Sequence, residues 1–316
     1  MKAAMKATAK NTIFVTVGAW KDWEEKTKVL RASAKKQGVP LEIVDKGGVW
    51  HGYFENKIVR LKSWLEDRVK ENKKIKYFVF VDARDVVFIK PLATILKQMQ
   101  GFSEENVWFN PDRRNRTWPA NSRWFAHRIS LKYGCDGIAN SGLYFGRVER
   151  VLDLLARCID LSWFLTDETV RPGSIENLIK ETIRGDRPDL KFVIGKGDTT
   201  TTEYRLGTYP AAEPFLQSDQ FYVQLLQAMW DDIVQVDIER KVLAGFADGW
   251  PSYGIDAEGL TTNGWVSNGS MPLGTAGILH SPWMFPRTKM DDKNNVDAWT
   301  LWAIREGIVN ERDLES

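Results

Sequence analysis

The chain reads as an α/β protein: a mostly parallel twisted sheet with helices on both faces and a loop-rich carboxyl-terminal part. Three observations lead there. Short, fully apolar runs recur through the first hundred residues, amphipathic helical patterns separate them, and glycine accumulates late in the chain, with eight in residues 245–277. Alternation of strand and helix makes a parallel sheet the expected result, because a crossover helix returns the chain to the same end of the sheet.

The elements follow in order. Residues 12–17 (TIFVTV) have the length and β-branched content of a buried strand. Residues 22–37 are predicted to form a helix stopped by Gly38 and Pro40, and residues 41–44 a second strand. Phe54, Ile58, Leu61, Leu65 and Val69 recur at helical spacing, which places one apolar stripe on a long amphipathic helix. Residues 77–81 are a third strand, followed by Pro91 and a helix to about Met99. Beyond this, residues 107–109 and 143–145 read as short strands, and residues 149–159, 176–183, 219–230 and 296–305 as helices. Residues 245–277 lack periodicity and are expected to be loops and short strands. The expected division is a nucleotide-sugar-binding half, 1–110, and an acceptor-binding half, 111–316, within one continuous domain.

Composition narrows the class. At 43% hydrophobic and 27% charged residues, the chain matches soluble globular proteins and not disordered or collagenous ones. The apolar runs near the motifs fall far short of the roughly 20 residues a membrane span needs, so no membrane association is expected. The apolar stretch after residue 12 runs straight into Lys21, Asp22 and Glu24 and is read as a strand and not a signal peptide. Cys135 and Cys158 have no partner at zinc spacing, which fits buried thiols in a reducing cytoplasm. The net charge of +2 favours no polyanionic partner by itself. Fourteen tryptophans, several in glycine-, proline- or arginine-rich segments, make aromatic stacking on sugars or bases a second use beside core filling.

The sharpest motif is Phe78-Val79-Phe80-Val81-Asp82-Ala83-Arg84-Asp85. An apolar strand delivers two carboxylates, three residues apart, at its carboxyl end, where open α/β sheets bind ligands. A turn there aims both at one hard cation such as Mn²⁺ or Mg²⁺. An arbitrary Asp-x-x-Asp is more often a solvated acidic turn, so the context decides. Lone histidines are likewise more often structural than ligands, and His51 and His127 keep that reading.

Residues 12–20, 56–65, 79–88, 110–114, 141–146, 218–222 and 277–280 follow, in order, the landmarks of a GT-A-type glycosyltransferase. The chain most resembles the glycosyltransferase domain of procollagen lysyl hydroxylases and related viral and phage enzymes. This resemblance implies that Asp82 and Asp85 form the metal-binding Asp motif and that His280 completes the site. It implies a uridine near Val17 and Gly18, Trp50 stacked on the base, and Lys57 as the family's lysine at the start of the long helix. Arg84 stands where the family places an aromatic and is read as stacking on the base or pairing with phosphate. Ser141 and Gly142, after Asn140, resemble the small-residue turn under the transferred sugar. Asp219 matches an acidic position near sugar and acceptor, although Ser218-Asp219-Gln220 fits a helix N-cap equally well.

The expected activity is metal-dependent transfer of a hexose, glucose first, from a UDP-sugar to a hydroxyl on a macromolecule, with retention of configuration. For the acceptor, bases and aromatics interleave through residues 113–133, a mixture suited to phosphate contact and base stacking. The same mixture equally describes an ordinary arginine-rich flank covering a small core; as a binding loop in a cytoplasmic enzyme, in the host cytoplasm if phage or viral, it makes a hydroxymethylated base in DNA one acceptor hypothesis. Hydroxylysine in a collagen-like protein is the rival acceptor, and a non-catalytic nucleic-acid-binding module is the reading from a different class.

Overall fold

The structure, a computed structural model, describes residues 3–111, 129, 137–166, 191–194, 203–206, 218–229, 233–245, 276–280, 300, 303–304 and 307–314. In chain order the elements are β1 (Thr12–Val17), α1 (Trp23–Lys26), α2 (Lys28–Lys36), β2 (Leu41–Val44), a π-helical segment (Glu55–Arg60) running into α3 (Leu61–Glu71), β3 (Tyr77–Val81), β4 (Val86–Phe88), α4 (Leu92–Met99), β5 (Val107–Pro111), β6 (Ala139–Arg147), α5 (Val148–Thr166), β7 (Lys191–Ile194), β8 (Glu203–Leu206), α6 (Asp219–Met229), β9 (Val234–Val236), β10 (Leu243–Gly245), β11 (Ile278–His280) and α7 (Glu311–Leu314).

Six strands form the central sheet in the order β2-β1-β3-β6-β5-β9. β2, β1 and β3 are mutually parallel, as are β5 and β9; β6 alone runs against its neighbours β3 and β5. The sheet is therefore mixed α/β and mostly parallel. Side chains alternate between two cores with the period of two that a strand imposes. Ile13, Val15, Val17, Phe78 and Phe80 face α3, α5 and α6, whereas Phe14, Tyr77, Val79 and Val81 face α2 and α4. Helices cover both faces, so β1 and β3 are buried throughout, which explains their unbroken apolar sequences. Each fully buried phenylalanine here, Phe14, Phe78 and Phe80, contributes about 1.5–3 kcal/mol of transfer free energy.

The helical stripe on α3 is as its spacing predicts: Ile58, Leu61 and Leu65 are buried, and Phe54 and Val69 pack against them. The helix expected over 22–37 is instead two helices that break at Thr27, whose hydroxyl donates to the Trp23 carbonyl at 2.7 Å. A second small sheet, β10-β11-β4, has β11 antiparallel to β4, with His280 opposite Val86. The expected helices 176–183 and most of 296–305, residues 246–275 of the glycine-rich segment, the basic-aromatic segment 113–133 apart from Ile129, and Cys135 lie outside the described residues. Cys158 is buried on α5 with a free thiol. Among the described residues no helix is long and apolar enough to cross a membrane.

Candidate metal centre

β3 ends at Val81, and the turn that follows carries Asp82, Arg84 and Asp85 before β4 begins. Because β4 pairs with β11, the same turn receives His280 from the far end of the sequence. One ligand atom each from Asp82, Asp85 and His280 lies within 4.8 Å of the others. His280 Nε2 is 3.7 Å from Asp82 Oδ2 and 3.6 Å from Asp85 Oδ1, too far for good hydrogen bonds. The histidine side chain is 2% exposed, and neither ring nitrogen has a hydrogen-bond partner among the described residues. A buried imidazole left unpartnered costs free energy unless something else fills its lone pair. Two carboxylates and an imidazole suit a divalent cation, and these observations fit a metal held by Asp82, Asp85 and His280.

Gly142 makes room for the site. A Cβ there would lie 2.2 Å from His280 Cε1, 2.5 Å from its Nε2 and 2.6 Å from Asp82 Oδ2. The backbone is pinned at this point, since the Asp82 N–H donates to the Gly142 carbonyl at 2.8 Å and the Gly142 N–H donates to Asn140 Oδ1 at 2.9 Å. The β5–β6 pairing also breaks here, jumping from Phe109 with Tyr144 to Asn110 with Asn140, so Ser141, Gly142 and Leu143 have no register partner on β5. Bulges re-aim strands beside functional sites in this way. The buried Asn110 amide, oriented with its nitrogen toward the bulge, donates to the Leu143 carbonyl at 3.1 Å and the Asn140 carbonyl at 3.2 Å. Ser141 itself is buried within β6.

Lys57 and Asp219 join the same cluster from two other elements. Lys57 Nζ donates to Asp82 Oδ1 at 2.7 Å and to Asp219 Oδ2 at 2.8 Å, with the lysine side chain 6% and Asp219 7% exposed. The wide π-helical turn buries three consecutive residues, Asn56, Lys57 and Ile58, and such turns recur at functional sites. Asp219 is the first residue of α6, and α6 is tied to β6 by Gln224, which donates to the Ala139 carbonyl at 3.1 Å, and by Gln227, which accepts from the Ala139 N–H at 3.0 Å.

Electrostatics follow from this geometry. Burial pushes the Asp82 carboxyl up, against the pull of Lys57, to about 6. Burial acts the same way on Asp85, but the charges of His280, Lys57 and Arg84 outweigh it and hold that carboxyl below its usual range. For Lys57, burial alone would favour the neutral amine; Asp219 and Asp82 hold it well above its ordinary value, so it is an ammonium.

The remaining sequence-derived residues lie on the same sheet edge. Val17 ends β1 and Gly18 follows it, one strand from β3. A Cβ at Gly18 would meet Ile43 Cγ2 at 2.6 Å, so close packing against β2 already accounts for this glycine. Trp50, in the loop after β2, stacks on Trp20 with ring centres 4.8 Å apart and packs edge-on against Tyr53 at 5.2 Å. Asn56 anchors this loop by accepting from the His51 N–H at 2.7 Å. Arg84 is half-buried in the Asp turn.

Two features escaped the sequence reading. Tyr53 is 52% exposed, yet its phenol is raised by burial and by the charges of Asp82, Asp219 and Asp85, which places it at the lip of the cluster. The available signal was its position three residues after Trp50. The ion pairing of Lys57 with both Asp82 and Asp219 has no local signal, because the three residues come from distant segments.

No protein-family model matches the chain, and no curated protein matches it in sequence. Among solved structures, it is similar to a glycosyltransferase involved in the glycosylation of the major capsid of PBCV-1. That alignment covers 58% of this chain and 85% of the other, at 11% identity and a TM-score of 0.32, a likeness too slight to bear on the chemistry.

Proposed function

We propose that this chain is a metal-dependent glycosyltransferase of GT-A type that moves a hexose from a UDP-sugar to a hydroxyl on a macromolecule. The observation that carries the reading is the convergence of Asp82, Asp85 and His280 over Gly142 at the carboxyl ends of parallel strands, where α/β sheets bind nucleotides. The order of sequence blocks resembling GT-A enzymes agrees with it. A divalent cation at this site, when bound, supplies Lewis-acid neutralisation of a leaving diphosphate, worth several kcal/mol.

The chain's own residues do the rest. Asp82 and Asp85 hold negative charge at the sheet edge, and His280 offers a nitrogen fixed by β-pairing with Val86. Gly142 lets the backbone approach the sugar. Asp219, at the helix terminus, is the group set to contact a sugar hydroxyl or assist acceptor deprotonation. Trp50 and Tyr53 form an aromatic wall for the base. Glucose transfer with retention is the first expectation for sugar and stereochemistry.

The test is UDP release from a panel of UDP-sugars with and without Mn²⁺, followed by mass analysis of hydroxymethylated DNA and hydroxylysine peptides as acceptors. The reading expects Mn²⁺-dependent turnover abolished by chelator. Turnover indifferent to chelator, or no turnover with any donor, removes it in favour of a binding module.

A further inference from the structure

We infer that Tyr53 is a substrate-binding residue whose phenol O–H donates to the phosphate nearest the base of the nucleotide donor. Among the described residues three large apolar side chains are more than half exposed, Val49, Tyr53 and Trp163, and the first two flank Trp50 in the loop after β2. Exposure alone decides nothing; position does. The Tyr53 ring touches two groups with different tasks. It packs edge-on against Trp50, ring centres 5.2 Å apart, and its own centre lies 5.6 Å from Lys57 Nζ, which in turn pairs with Asp82 at 2.7 Å. Four residues separate Tyr53 from Lys57, so the two share one face of the helix that begins here, with Lys57 buried and Tyr53 at the rim. The backbone is fixed at this point: Gly52, at a φ of 108° that disfavours a side chain, leads into the helix, and the Asn56 N–H donates to the Gly52 carbonyl at 3.1 Å.

The fold makes no use of the hydroxyl, which forms no hydrogen bond among the described residues. Burial and then the charge of Asp82 raise the phenol above its ordinary value, against the pull of Lys57, so it carries its proton at neutral pH and is a donor. The choice of ligand group rests on the proposed function. A nucleotide laid from Trp50 to the metal ligands passes Tyr53 after its base and before its terminal phosphate. Ribose and the first phosphate both come by at that point. An O–H donating to an anion makes a shorter bond, roughly twice as strong as one between neutral groups, so the phosphate is the better acceptor.

The test is calorimetry on the full chain and on Tyr53→Phe, which keeps the ring against Trp50 and removes only the hydroxyl. With Mn²⁺ present, affinity for UDP and for UMP should fall about tenfold in the variant, the scale of one hydrogen bond to a charged group. Affinity for uridine, which has no phosphate, should stay within about threefold of wild type. The unfolding midpoint should not move, because no bond within the protein is lost. Unchanged UDP affinity overturns the inference; so does an equal loss for uridine, which would put the contact at the sugar or base, or a loss that comes with a lowered midpoint. Inorganic pyrophosphate with Mn²⁺ separates this assignment from the donor reading, since it fills the phosphate positions without a base. Its affinity should also fall about tenfold in Tyr53→Phe. Wild type that binds pyrophosphate but no uridine nucleotide removes the UDP-sugar reading and leaves the phosphate contact of Tyr53 in place. Equal pyrophosphate affinity in the two proteins overturns the contact and leaves the donor reading standing.

Discussion

Gly142 and His280 stand closer than a methyl group permits: a Cβ on residue 142 would sit 2.2 Å from His280 Cε1. Because β6 is held by pairing with β3 and by Gln224 and Gln227 on α6, the strand cannot retreat, so the imidazole and Asp82 must yield. Gly142→Ala should therefore weaken Mn²⁺ binding by at least about tenfold, since displaced ligands lose affinity steeply. Circular dichroism should still report the native helix content. Unchanged Mn²⁺ affinity in a folded Gly142→Ala would show that His280 is not a ligand.

Asp85→Ala should lower Mn²⁺-dependent turnover by at least about two orders of magnitude, the scale of several kcal/mol of lost charge stabilisation. The side chain is 33% exposed, and the Lys57 bridge is made with Asp82 and Asp219, so those ion pairs survive the change. Steady-state UDP release, with thermal unfolding as the control for stability, checks this. Full turnover in the variant would sink the metal assignment.

How far the site can be read from the sequence depends on how local each signal is. Asp82 and Asp85 are legible because a five-residue apolar strand ends on them. His280 is visible only through resemblance, since nothing near it announces that β11 pairs with β4, and β4 is three residues long and follows the Asp turn directly. Strand β6 extends to nine residues where only its apolar part, around Leu143 to Phe145, reads as strand; Ala139, Asn140, Ser141 and Gly142 have low strand propensity and are held by tertiary pairing. Thr27 breaks a helix whose amphipathic pattern runs on unbroken, and the π-helical turn that buries Lys57 beside Asn56 and Ile58 leaves no trace in a 3.6-residue periodicity.

Metal binding should depend on pH around the Asp82 carboxyl, which burial raises to about 6. Below that value the folded apo-protein binds a proton at this group that the cation must displace; above it, the carboxylate is already free. Affinity for Mn²⁺ is thus expected to climb as pH rises from 5 to about 7 and then level off, by up to about tenfold per unit below 6. The same raised value means that ionising Asp82 costs the apo-protein stability, so apo stability from this group is highest at low pH and falls as pH passes through 6. Calorimetric Mn²⁺ titrations at pH 5, 6, 7 and 8 test the first half and apo-protein unfolding the second. Affinity that is flat across this range would place the titrating group elsewhere.

The aromatic wall separates donor binding from packing. Trp20 and Trp50 lie nearly parallel, planes 19° apart and ring centres 4.8 Å apart, which leaves no space for a base between them. If Trp50 stacks on uracil as proposed, the base takes the face turned away from Trp20, so the two indoles are not equivalent. Both contribute packing, and replacing either by alanine should lower thermal stability. Only Trp50→Ala should also weaken UDP, by about 1–3 kcal/mol, the range for base stacking on an aromatic. Trp20→Ala should leave UDP affinity within about threefold of wild type, because its ring backs the platform without touching the base. Calorimetry with UDP on both variants, each compared at a temperature well below its own unfolding midpoint, distinguishes the roles. Equal losses of UDP affinity in the two would mean that the pair acts as one packed unit, and an unchanged affinity in Trp50→Ala would move the nucleotide base to another part of the sheet edge.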